Sequence, residues 1–247
     1  MIGMLEAVRG CVKEEVRTDV IANNLANATV IGFKRDRVAF QNMLQGAVSQ
    51  ESTTSPEAVA PSDEENLLRI QTDFSGGPLH ATGNTFDLAL EGKGFFKVQT
   101  PEGVRYTRKG NFSLDAQGQV MTQDGKPVLG KSGPLTISGA NVVIDKDGKV
   151  LVDGSQVGQF DLVDFADPEV LHKAGAALFR ADEGAEERPV SDLTAVRQGY
   201  VEDSNVNVSQ EMVAMIHSMR AFESYQQAIR VLDGLNNQAI NEVPKVG

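Results

Sequence analysis

Between Val208 and Ala239 apolar residues return every three or four positions, and no other feature constrains the fold as much. Val208, Met212, Met215, Met219, Phe222, Tyr225, Ile229, Leu232, Leu235 and Ala239 mark one stripe. That spacing predicts a single helix of about thirty residues, roughly 45 Å long at a rise of 1.5 Å per residue. Asn207 stands at its N-cap position with Gln210 three residues on, a variant of the capping box. A small β domain is too short to cover such a stripe, so much of it needs another helix or another chain. The N-terminus offers one. Leu5, Val8, Val12, Val16 and Val20 recur at the same steps, and Ile21 and Leu25 carry the stripe toward Ala28. Glu6, Lys13, Glu14, Arg17 and Asp19 fill much of the opposite face. The valines lower intrinsic helix propensity, so a packing partner must supply the stability. The expectation is an α+β chain whose N- and C-terminal helices pair as a coiled coil around an inserted all-β central domain.

Charge divides the chain in the same way. Residues 1–50 carry six Lys/Arg against five Asp/Glu, and residues 204–247 carry three against four. The whole net charge of −11 therefore lies in the middle, which has 14 basic and 25 acidic residues. Neither end is a basic arm, which argues against nucleic acid as a partner. The N-terminus is broken by charges too early for a secretory signal peptide, and no apolar run is long enough for a transmembrane segment. The boundaries that follow are an N-terminal helix and turn over 1–45, a linker rich in Ser, Thr, Glu and Pro over 46–66, a β-rich domain over 67–199, and the long helix within 200–247.

The β reading of the middle rests on alternation and turns. FDLALEGKGFFKVQT alternates and then runs apolar and aromatic. Glu102-Gly103, Asp124-Gly125, Asp147-Gly148 and Asp153-Gly154 are acid–glycine pairs suited to tight hairpins. LDAQGQVMTQDGKPV (114–128) resembles IDKDGKVLVDGSQV (144–157), as two successive hairpins of one domain would. The DKDG stretch lacks the rest of an EF-hand loop and reads as a turn.

Little in the chain suggests chemistry. His80, His172 and His217 are scattered, and no zinc-protease, nucleophile-elbow or phosphate-loop pattern occurs. Gly92-Lys93-Gly94 lacks the third glycine of a dinucleotide fingerprint. Cys11, the single cysteine, excludes an internal disulfide and reads as a small apolar helix residue. Met212, Met215 and Met219 fit plain packing at helical spacing better than a copper site. No catalytic residue, cofactor, metal or small-molecule substrate is expected.

Four ordered motifs carry a resemblance. ANNLANATVIGFKRD, FDLALEGKGFFKVQ, YTRKGNFSLDAQGQVMTQDGKPVLG and VEDSNVNVSQEMVAMIHSMRAFESYQQAI are similar to the flagellar basal-body rod and hook protein family, over nearly the whole chain outside 46–66 and 181–197. Asp203 departs from a glycine common in the family. The resemblance implies a structural axial subunit of the bacterial flagellum, lying in the rod where it crosses the periplasm. It implies export by the flagellar export apparatus without a cleaved signal peptide. Its partners would be copies of itself and other rod subunits. Paired terminal helices would form an inner tube and the β domain an outer layer. GKPVLGKSGPLTI and the C-terminal ending resemble proximal-rod members, while the start is equally similar to distal-rod members. A soluble adaptor whose terminal helices form a closed dimer or an intramolecular hairpin is the reading from another class.

The resemblance also gives the asparagines near the end of the first helix a task. Asparagine is a mediocre helix former. In a tube, Asn23, Asn24 and Asn27 would join helix-end carbonyls to neighbouring chains, and local capping is the alternative. Gly32, in the left-handed conformation, and Phe33 would turn the chain outward, with Lys34 and Arg35 near the helix's negative end. The expected assembly interface comprises Asn23, Asn24, Asn27, Gly32 and Phe33 with Leu5, Val8, Val12, Val20, Ile21 and Leu25. At the other end it comprises Asn205, Asn207, Met212, Met215, Met219, Phe222, Tyr225, Ile229 and Leu232.

Overall fold

The computed structural model describes residues 2–39, 69–175 and 177–242. The linker read at 46–66 lies outside the described residues. The described residues form two units. The first holds helix α1 (Ile2–Ala26) as far as Leu25, helix α2 (Val208–Glu242) and the strand Asp36–Ala39 with all but the last residue of its partner Arg69–Thr72. The second runs from Ala26 to Arg35 and from Thr72 to Asn207.

In the first unit the helices are antiparallel: Gly3 lies beside Leu232, Gly10 beside Tyr225, and Glu14 and Thr18 beside Ser218. Buried Ala7, Glu14 and Ile21 share a face with half-buried Cys11, Thr18 and Leu25. On α2 the matching set is buried Glu211 and Ser218 with half-buried Met215, Phe222, Ile229 and Leu232, and the more exposed Tyr225 completes the steps of three and four. Such steps are compatible with a coiled-coil seam. Val20 and Ile21 of the stripe expected on α1 are buried, but its first half departs from the seam. Leu5, Val8 and Val12 are exposed at 52%, 42% and 48%. Smallness explains it: a Cβ on Gly10 would lie 2.5 Å from the Tyr225 ring, so glycine admits the facing helix where any larger residue would push the ring aside. On α2, Met212 and Met219 likewise face outward, while Met215 is half-buried.

The second unit begins as α1 ends. Gly32 adopts φ +70°, and a Cβ there would overlap the Lys109 backbone, so only glycine fits this turn. A six-stranded antiparallel sheet follows, in the spatial order Leu171–Lys173, Leu178–Ala181, Gly103–Thr107, Phe95–Thr100, Leu162–Phe165 and Glu187–Pro189. Phe95 and Phe96 are adjacent in one strand and so point to opposite faces. Phe96 packs with Val98, Phe112, Val120, Val150 and Phe160; Phe95 packs with Tyr106, Phe165, Leu171 and Phe179. Each such buried side chain contributes about 1.5–3 kcal/mol relative to exposure.

The sequence repeat is a structural one. Asp115 Oδ1 accepts from the backbone N–H groups of Gln117 and Gln119, and Asp145 Oδ1 accepts from those of Asp147 and Lys149. Each turn serves a hairpin, Phe112–Leu114 with Val120–Thr122 and Val142–Ile144 with Lys149–Val152. The aspartates thus cap turns. At Asp153-Gly154, φ of +50° and +84° marks the left-handed pair of a tight hairpin between Lys149–Val152 and Ser155–Gln159.

Candidate functional site

The first unit leaves much apolar surface uncovered. On α2, Met212, Val213, Ile216, Met219, Val231 and Leu235 are at least half exposed. Together with Leu5, Val8 and Val12 they exceed what a helix facing only water carries. Between the helices a groove of about 410 Å³ is lined by Glu15, Thr18, Asp19, Met219, Phe222 and Gln226. Below it the seam turns polar: Ser218 Oγ donates to Glu14 Oε2 at 2.7 Å, and Thr18 Oγ1 lies 3.0 Å from Ser218 Oγ. Sequence periodicity missed Glu14, Ser218 and Glu211, because buried polar residues on a helix look solvent-facing until their partners are known.

The asparagines separate. Asn24 is 1% exposed and brackets the backbone of Asp36, donating from Nδ2 to its carbonyl and accepting from its N–H, both at 2.9 Å. Its amide therefore serves this chain's own backbone, fixing the strand that follows the turn, rather than standing open to a neighbour. Asn23 is exposed and Asn27 half-buried, with the Asn27 carbonyl accepting from Val30 N–H. Asn207 is exposed immediately before α2.

Gly32, Phe33 and Asn205 belong to the second unit, and there they surround ionic pairs that charge patterning did not locate. Lys34 does not sit as a counter-charge to the helix end. Its side chain is fully buried, with Nζ 2.5 Å from Glu202 Oε1 and 2.7 Å from the Ser75 carbonyl. Arg35 pairs with Asp73 at 3.1 Å. Burial pulls the Lys34 ammonium below its ordinary pKa despite Glu202 beside it, and burial does the same to Arg108. Burial would raise Asp73, but hydrogen bonds from Ser75 and Arg35 outweigh it and hold the carboxyl below its usual range. Phe33 is 1% exposed with Lys173 Nζ 4.1 Å above its ring. Asp203, the departure from the family glycine, is not among the described residues with positive φ, so its turn makes no demand for glycine.

Among the described residues no group of three or more His, Cys, Asp or Glu is placed to hold a metal ion. No described helix is long and apolar enough to cross a membrane.

Two terminal helices enclosing, in sequence, a separately cored all-β unit define an α+β chain of uncommon order. Comparison with known proteins identifies its kind. Residues 4–34 match the family model described as flagella basal body rod protein, and residues 89–152 match the flagellar hook protein FlgE/F/G D1 domain. Residues 197–242 match the flagellar basal body rod FlgEFG protein C-terminal model. The flagellar basal-body rod protein FlgG of Bacillus subtilis is 31% identical, covering 96% of this chain and 97% of its own length. FlgG of Buchnera aphidicola is 33% identical over 89% and 91%, and FlgF of Caulobacter vibrioides is 33% identical over 92% of each. The chain belongs to the flagellar basal-body rod protein family.

Proposed function

We propose that this chain is a structural axial subunit of the flagellar rod, of the F type, polymerising through its terminal helices to carry torque from motor to hook. In this reading residues 1–45 and 200–247 form an inner-tube layer and residues 67–199 an outer layer. Its partners are copies of itself and other rod subunits, it leaves the cell through the flagellar export apparatus, and it is not an enzyme. One observation carries the reading: the apolar faces of both helices, Leu5, Val8 and Val12 with Ile216 and Met219, remain open after α1 and α2 have paired. Already about half covered, each would contribute on burial in a tube roughly half of the 1.5–3 kcal/mol of full burial. Relatives named FlgG and FlgF lie at similar identity, so the F-type reading rests on GKPVLGKSGPLTI and the C-terminal ending.

Light scattering against concentration tests the assembly. Non-closing contacts between copies give growth without limit, whereas a soluble adaptor stops at a dimer. Ile216→Glu should abolish growth while leaving the monomer's helicity intact. A closed dimer in the wild-type chain, or undiminished growth of Ile216→Glu, would overturn the reading. Restoring motility in strains lacking one or the other rod protein separates F from G type.

A further inference from the structure

Three stretches far apart in sequence meet at one buried cluster within the second unit, and neither the helix stripes nor the family match accounts for it. Residues 32–35, 73–78 and 203–207 belong to no helix or strand. They are held by buried side chains together with a few main-chain bonds. Glu202 Oε1 takes the Lys34 ammonium and the Gly77 N–H (2.8 Å), while Oε2 takes Arg108 Nη1 at 3.3 Å. The side chains of Lys34, Glu202 and Arg108 are exposed by 0%, 1% and 4%. Around them the Gly32 N–H donates to the Glu202 carbonyl and the Arg35 N–H to Asn205 Oδ1. Asn205 Nδ2 donates to the carbonyls of Asp73 and Ser75, and the Asp73 N–H donates to the Arg35 carbonyl.

One carboxylate thus serves two buried cations. A buried charge deprived of its partner is strongly unfavourable. Lys34 and Arg108 cannot both stay buried until Glu202, which lies 168 residues beyond Lys34, has arrived. The apolar core of the sheet has no such dependence, since Phe96, Val98 and Val150 pack on one another.

We propose that Lys34, Glu202 and Arg108 form a latch that fixes the turn after α1 only in a chain complete as far as the approach to α2. An incomplete chain keeps its sheet core but leaves residues 32–35 unfixed, which makes the latch a check on completeness. Closure links the first and last stretches of the unit through charge rather than through a strand ladder.

Amide hydrogen exchange on the full-length monomer tests this, with Gly32, Arg35, Asp73 and Gly77 as reporters and the strand Phe95–Thr100 as internal reference. In Lys34→Met and in Glu202→Gln the four reporters should exchange at least tenfold faster, together, while the reference amides keep wild-type rates. Lys34→Met leaves Glu202 and Arg108 as a neutral pair, so it decides the matter if Glu202→Gln does not fold. Unchanged reporter rates would overturn the proposal. So would reporters that accelerate only in step with the strand, because the cluster would then be part of the core. Since the readout is on monomer, its failure leaves the rod reading untouched, and a failure to polymerise leaves the latch untouched.

Discussion

The helical unit and the β unit bury different mixtures of residue. The helical seam sets Ala7, Gly10, Glu14, Glu211 and Ser218 among half-buried Met215, Phe222 and Ile229, while Leu5, Val8, Val12, Met212 and Met219 face outward. The β unit puts Phe96, Phe112, Phe160, Phe165 and Phe179 inside, all at 5% exposure or less. The β unit spends its apolar bulk on itself, and the helical unit holds much of its own on the surface. A close helix pair built partly from small and polar groups gains modestly from hydrophobic burial. Its outer faces, by contrast, retain the driving force for contacts with other chains.

That contrast breaks first, and hardest, in the β unit. Phe96→Ala should cost about 3–5 kcal/mol, read as a lower urea midpoint of the strand signal, because the side chain is fully enclosed. A loss below 1 kcal/mol would mean that the core is not the self-sufficient half. In the seam, Gly10→Leu sets a side chain against the Tyr225 ring and should destabilise the helical pair by about 1–3 kcal/mol, although leucine is the better helix former. Loss of helical circular dichroism with the strand signal intact is the expected record. Stabilisation would show that the helices do not meet at Gly10.

The smallest expected effect lies on the sheet surface. Burial opposes ionisation of Glu187, yet hydrogen bonds from Lys97 (2.8 Å) and Tyr106 hold its carboxyl below the ordinary 4.5. A depressed carboxyl contributes stability that is present above its unfolded value and lost as pH falls through the folded one. Lys97→Met should therefore destabilise at pH 7, and the deficit should shrink below about pH 4.5. A deficit constant with pH would assign the lysine's effect to packing of its stem alone.

How much of this was legible follows from the range of each interaction. The stripe from Val208 set α2, which begins at Val208. Gly32, Gly125, Gly148 and Gly154 all take the positive φ that their turns require. Those signals are local. The first half of the seam on α1 was not legible, because periodicity weighs bulk and a glycine facing a tyrosine registers as nothing. Lys34 and Glu202 were not legible either, since only the folded chain brings their charges together. Asn24 fell between these cases: its place at a helix end was plain, but the Asp36 backbone it holds could not be chosen from the several carbonyls nearby.

The adjacent pair Phe95 and Phe96 carries a consequence for how such chains can change length. Because the strand is a common wall between two cores, adding or removing one residue within Phe95–Thr100 would exchange every side chain beyond that point between the two rooms it divides. Valine would meet the space made for lysine, and both cores would fail together. Growth or shortening is therefore confined to corners such as 182–184, whose exposed residues stand between two strands and belong to neither core.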